Sequence, residues 1–128
     1  MRLLLDTHTF IWWDSAPSRL SDRAYSVCVD DTNELWLSVA SVWEMQIKHD
    51  LGKLDLDLPL QQMVREQRAG NDIALLEVRA EHVYELHELP DIHGDPFDRM
   101  LVAQARAEEL RVVTKDPRIQ DYPVDWEW

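Results

Sequence analysis

Residues 1–13 read MRLLLDTHTFIWW, and within them the run Leu3-Leu4-Leu5 closed by Asp6 decides how the rest of the chain is read. Three leucines in a row, with no polar alternation, describe a strand buried on both faces, as in a parallel sheet covered by helices on each side. Strand one is therefore placed at residues 2–6. A short helix from Thr7 to Trp13 follows, and after Pro17 a second helix capped by Ser21 runs to Val29. Leu35, Trp36 and Leu37 form strand two. Ala40, Trp43, Ile47 and Leu51 then recur at three and four residues, the inward face of a helix that Gly52 stops, which assigns Trp36 and Trp43 to the core. Leu54 to Leu60, with its aspartates and Pro59, is an irregular connection into a helix from Leu60 to Ala69 ended by Gly70. Beyond it lie strand three (Ile73 to Val78), a helix over 80–89, a loop from Pro90 to Pro96, and a helix over 97–109. Strand four runs from Arg111 to Thr114 and is halted by Lys115-Asp116-Pro117, and Val124, Trp126 and Trp128 alternate as a short edge strand. Strands alternating with helices predict an α/β layer fold around a mostly parallel sheet, and 128 residues suit a single domain over 1–128.

Composition narrows the function classes. With 45% hydrophobic and 30% charged residues the chain has globular composition, and no apolar run approaches the ~20 residues of a membrane helix. The Leu3–Leu5 run is too short for a signal-peptide core. A lone cysteine, Cys28, with no CxxC or HExxH spacing, gives neither an internal disulfide nor a zinc site and points to a reducing cytoplasm. A net charge of −12 argues against coating nucleic acid by bulk attraction, yet leaves room for a nuclease whose carboxylates hold cations. The three glycines, Gly52, Gly70 and Gly94, cannot form a GxGxxG or Walker-type phosphate loop.

Four acids occupy positions where chemistry collects. In a parallel α/β sheet ligands gather at the carboxyl ends of strands, and there Asp6 closes strand one and Asp116 closes strand four. Taken singly, a helix cap explains Asp6 and a turn explains Asp116. Asp98 sits in the first turn of its helix, where the dipole favours it, but Leu101 and Val102 share its side and point it into apolar surroundings. There an unpaired carboxylate is costly and a cation would relieve it. Glu44 lies on a largely apolar helix face, and Lys48 four residues on offers it an ion pair of ~0.2–0.5 kcal/mol. Four acids at one sheet edge repel one another unless divalent cations bind, and an all-oxygen set suits Mg²⁺ or Mn²⁺, which activate water for phosphoryl chemistry.

The segments MRLLLDTHTFIWW, SVASVWEMQIKHDLGKL, HGDPFDRMLVAQA and VVTKDP, in this order, resemble the PIN-domain family, and more narrowly the VapC-type toxins of prokaryotic type II toxin–antitoxin modules. The resemblance spans essentially the whole chain. It implies a PIN domain-like fold, a three-layer α/β/α sandwich with a mostly parallel central sheet. It further implies a metal-dependent endoribonuclease acting on single-stranded or looped RNA, often a tRNA or rRNA, and leaving a 5′-phosphate and a 3′-hydroxyl. The family's four acids fall on Asp6, Glu44, Asp98 and Asp116, as ligands of Mg²⁺ or Mn²⁺. A homodimer and a cognate antitoxin that blocks the site are implied as partners.

Within DPFD the family's third acid is assigned to Asp98, inside the helix, and Asp95 is read as a loop cap. Thr7 and Thr114 flank the strand-end acids, where a turn hydrogen bond or a contact to metal-bound water explains them equally, and His8 and His93 are read as solvent-exposed or satisfied side chains. Arg2, Lys48, Arg99, Lys115 and Arg118 lie within four positions of an acid and are candidates to meet RNA phosphate, with ion pairing at least as good an account of Lys48 and Arg2. Adjacent Trp12 and Trp13 cannot both face inward from one helix, which assigns one to a dimer or antitoxin surface ahead of base stacking. Two other readings compete. D-T-H-T after a hydrophobic strand suggests a haloacid dehalogenase-type phosphatase, but His8 stands where a second acid is needed. An acid-pocket module that binds metal or protein without catalysis is the non-enzyme alternative.

Overall fold

Leu3, Leu4 and Leu5 have no solvent exposure in the computed structural model, which describes residues 1–128. They form β1 (Arg2–Leu5), the central strand of a five-stranded sheet in the order β3-β2-β1-β4-β5. The other strands are β2 (Glu34–Ser38), β3 (Ala74–Leu76), β4 (Arg111–Val113) and β5 (Trp126–Glu127), and every pairing is parallel. Successive side chains of a strand point to opposite faces, so Leu3 and Leu5 enter one core and Leu4 the other. Under the first face lie α1 (Thr7–Ser15), α2 (Asp22–Val29), α3 (Val39–Asp50) and α4 (Leu60–Asn71), supplying Phe10, Ala24, Val27, Met45 and Met63. Under the second lie α6 (Pro96–Glu108) and the short α7 (Pro117–Gln120), with Leu101, Val102 and Ile119, and α5 (Ala80–Glu85) packs on α6. The expected three-layer α/β/α arrangement is present, with an entirely parallel sheet.

Several local expectations are corrected. Helix α4 passes through Gly70 and ends at Asp72, whose φ of 53° supplies the left-handed cap. Nothing crowds Gly70, and it lies in the last turn, where a glycine costs less than in a helix interior, so the helix accepts it. Gly52 does end α3's segment in a left-handed conformation, φ 71°. Strand three is shorter than predicted because β2 stops at Ser38, the partner of Leu76, and the Glu77 carbonyl accepts instead from Gln104 Nε2 at 3.2 Å. Segment 80–89 divides into α5 and a 3₁₀ turn at Leu86–Glu88.

Helix α3 buries a face rotated from the predicted one. Ala40, Ser41, Glu44 and Met45 point inward, while Trp43 is 63% exposed, so Trp43 is not a core residue. Trp36 is half-buried, its indole N–H enclosed without a partner. Both Trp12 and Trp13 are half-buried against the first core, Trp12 beside Trp128 and Trp13 beside Tyr25, so neither is surrendered wholly to the surface.

Candidate active site

Strand β1 ends where α1 begins, and the residue at that junction, Asp6, serves both. Its Oδ1 accepts from the Thr9 amide at 2.8 Å, capping α1, and its Oδ2 accepts from Thr114 Oγ1 at 2.6 Å. The cap expected of Asp6 is present, but a solvent-facing cap does not require the 4% exposure that Asp6 shows. Burial pushes its carboxyl above the ordinary range in spite of the Thr114 and Thr9 bonds that favour the anion. Thr114, at the end of β4, also accepts from the Asp116 amide at 3.1 Å, tying the two strand ends together.

Ser38 caps α3, and two turns later that helix delivers Glu44 inward. Thr7 Oγ1 donates to Glu44 Oε1 at 2.6 Å and lies 3.0 Å from Ser41 Oγ, while Lys48 Nζ reaches Glu44 Oε2 at 2.9 Å. The i,i+4 pair expected of Lys48 is therefore formed. Helix α6 begins at Pro96 behind Asp95, whose Oδ1 accepts from the amides of Phe97 and Asp98, so Asp95 is the cap and Asp98 the helical acid. His93 Nε2 lies 3.0 Å from Asp98 Oδ2, and its Nδ1 lies 2.8 Å from the Tyr122 hydroxyl. Asp116 caps α7 and pairs with Arg118 at 3.3 Å.

The charges converge at the carboxyl end of the sheet, where the chain order reverses about β1 and β4. Burial raises the Asp98 carboxyl to about 6, against the His93 hydrogen bond, and the negative fields of Asp95, Glu44 and Asp116 push it the same way. At Asp116 burial pushes upward, but the bonds and charge of Arg118 prevail and hold the group below its ordinary value. Asp6 and Asp116 share the wall of one cavity. The four predicted acids thus lie at the same end of the sheet. As placed, Asp6 is engaged by a hydroxyl, Glu44 by a hydroxyl and a lysine, Asp98 by the His93 ring and Asp116 by an arginine, and no three His, Cys, Asp or Glu side chains stand together around one ion position.

Other predicted residues divide. Arg2 lies at the far end of β1 and binds the Glu108 carbonyl and Glu34, away from the acids. Arg99 is spent on the Pro90 carbonyl and the Tyr122 hydroxyl. His8 is exposed, and His93 is in direct contact with an acid. The Ser41 hydroxyl was missed by sequence reasoning, although its position three residues before Glu44 on the same helix was a signal for it.

The family model of the PIN domain matches residues 3–125. The chain belongs to the PIN-domain family. This PIN domain is similar to Ribonuclease VapC22 of Mycobacterium tuberculosis, with 28% identity over 131 residues covering 94% of this chain and 91% of that protein. Among solved structures it resembles a chain of VapBC2 from Rickettsia felis bound to a promoter DNA fragment, with a TM-score of 0.74 at 16% identity, covering 98% of this chain and 97% of that one. It also resembles a chain of VapBC-1 from nontypeable Haemophilus influenzae, with a TM-score of 0.58 at 16% identity, covering 98% and 96%. At these identities the structural likeness is a likeness of PIN fold, and the sequence relative carries the link to a ribonuclease.

Proposed function

We propose that this PIN domain, spanning 1–128, is the toxin of a type II toxin–antitoxin module, a metal-dependent endoribonuclease whose working acids are Asp6, Glu44, Asp98 and Asp116. The observation that carries the reading is the meeting of these carboxylates at the carboxyl end of the sheet in a chain related to a ribonuclease. Their chemistry fits a hard divalent cation. The donors are all oxygen, and the two whose carboxyls burial raises, Asp6 and Asp98, have no lysine or arginine partner. Asp6, Glu44, Asp98 and Asp116 would hold Mg²⁺ or Mn²⁺, which when bound supplies charge for the phosphodiester and Lewis-acid activation of water. The protein's own part is positional. Thr114 and Thr7 orient Asp6 and Glu44 through 2.6 Å hydrogen bonds, and His93 orients Asp98. Lys48 and Arg118 moderate the repulsion between acids.

The substrate class is single-stranded or looped RNA, tRNA and rRNA being the first to test, and the compartment is the cytoplasm. No helix is long and apolar enough to cross a membrane. The partners are a cognate antitoxin and a second copy of the chain. Exposed Val39 and Trp43, and an 840 Å³ groove between α3 and α4 lined by Val42, Leu60 and Val64, support a protein-covered face. Purified, antitoxin-free protein incubated with total RNA in Mn²⁺ is expected to give discrete fragments with 5′-phosphate ends, and none in EDTA. Folded, Mn²⁺-bound protein that cuts no RNA would move the assignment to a non-catalytic acid-pocket module.

A further inference from the structure

The cavity that Asp6 and Asp116 share has a lining dominated by charged and polar residues, and the ribonuclease reading alone does not account for it. It encloses about 490 Å³, within the range of small-ligand sites, and its walls include Asp6, His8, Trp12, Lys115, Asp116 and Arg118. Trp12 is its single hydrophobic side chain. Around that indole stand the Arg19 guanidinium, 4.7 Å from the ring centroid, the Lys115 ammonium at 6.0 Å and the His8 ring at 5.9 Å. Trp128 meets it edge-on at 6.0 Å, and the first core packs against it, so the ring is held in place. Arg19 and Lys115 are exposed and make no ion pair. In a chain of net charge −12, two free cations thus gather on one fixed aromatic ring beside two carboxylates of the cleft.

That combination matches a nucleotide. A base stacks on aromatic rings and guanidinium planes, and a phosphate answers lysine. An apolar protein segment would find little here, since the cavity's other lining residues are polar, charged or proline. We propose that this cavity is the subsite for one nucleotide of single-stranded RNA next to the phosphate that is cut, its base against Trp12 and Arg19 and its phosphate on Lys115. A base paired within a duplex is already stacked on its neighbours, so the subsite selects unpaired RNA. The inference rests on the ribonuclease reading for the position of the cut, but binding tests it separately.

The test is fluorescence anisotropy of a labelled single-stranded RNA on Asp98→Asn protein over a series of salt concentrations, with kcat and KM measured on the otherwise native chain. Lys115→Gln is expected to weaken binding severalfold and to reduce the log–log salt slope by about 0.7, one phosphate contact on a single strand. Trp12→Leu should weaken binding about tenfold with the slope unchanged, and Trp12→Phe should recover most of it. Both effects are expected in KM rather than kcat. Lys115 is exposed, so its variant reports even where Trp12→Leu disturbs packing. Native affinity and salt slope in Lys115→Gln, or native affinity in folded Trp12→Leu, overturns the subsite, whatever the variants do to a protein partner. If the native chain cuts RNA while KM ignores these changes, the subsite falls and the nuclease stands. If RNA is bound through Trp12 and Lys115 but never cut, the nuclease reading falls and the subsite stands.

Discussion

Asp98 and Asp95 stand three residues apart and do different work. Asp95 spends its carboxylate on two amides, a task asparagine performs equally well, so Asp95→Asn is expected to retain most of the cleavage rate. Asp98 caps no helix end, and Asp98→Asn keeps its shape while removing a charge, so cleavage should fall at least ~100-fold with the circular dichroism spectrum unchanged. Equal losses in the two variants would show that both acids bind the ion. The same residue sets a pH dependence in metal-free protein. The Asp98 carboxyl is raised to about 6 from an ordinary 3.8, chiefly by burial, so the folded state holds its proton more tightly than the unfolded one. Its contribution to stability is full below about pH 4 and is lost as the pH rises through about 6. Denaturant titrations in EDTA should therefore show wild type losing about 1–3 kcal/mol relative to Asp98→Asn between pH 4 and pH 7. A difference that is flat with pH would mean that Asp98 is well solvated. The sequence revealed Asp98's apolar neighbours, and hence this cost, but not its contact with His93, five residues away across a loop turn.

At the scale of elements, the strand ends and helix starts that carry the acids were legible because each junction is marked by a local signal. Asp6 follows three leucines, Asp95 precedes a proline, and Asp116 precedes another. The inward face of α3 was not. Spacing at three and four fits both Ala40-Trp43-Ile47-Leu51 and Ala40-Ser41-Glu44-Met45, and only the position of the cleft, which draws Glu44 and Ser41 inward, decides between them. Gly70 misled for a related reason: an open helix surface tolerates a glycine, and the break fell at Asp72. The junctions also make a prediction about hydroxyls. Thr114 joins β4 to Asp6, and Thr114→Val preserves the side chain's shape while leaving Oδ2 of a buried carboxylate without its donor, the Thr9 amide still serving Oδ1. Unfolding free energy at pH 7 is expected to drop by about 1–3 kcal/mol and cleavage to fall with it. An unchanged stability would show that water or a cation replaces the hydroxyl.

For the whole molecule, topology concentrates the acids. A central β1 with chain crossovers leaving in both directions brings the ends of β1 and β4, the helix after β2 and the helix before β4 to one edge, four segments distant in sequence. The family resemblance pointed to these four acids, whereas the hydrogen bonds that engage each of them were visible only in three dimensions. An ion that binds the folded chain alone must stabilise it, so EDTA-stripped protein is expected to gain about 2.7 kcal/mol when Mn²⁺ reaches one hundred times its Kd. Loss of that gain in Asp98→Asn would tie it to the cleft. The most direct test of the account is the cleavage rate of one susceptible RNA, followed as Mn²⁺ is raised from zero, for the native chain and for Asp98→Asn. The rate is expected to be absent in EDTA, to saturate with Mn²⁺ in the native chain and to stay at background in the variant at every concentration. Cutting that persists in EDTA, or a variant that keeps pace with the native chain, would contradict it.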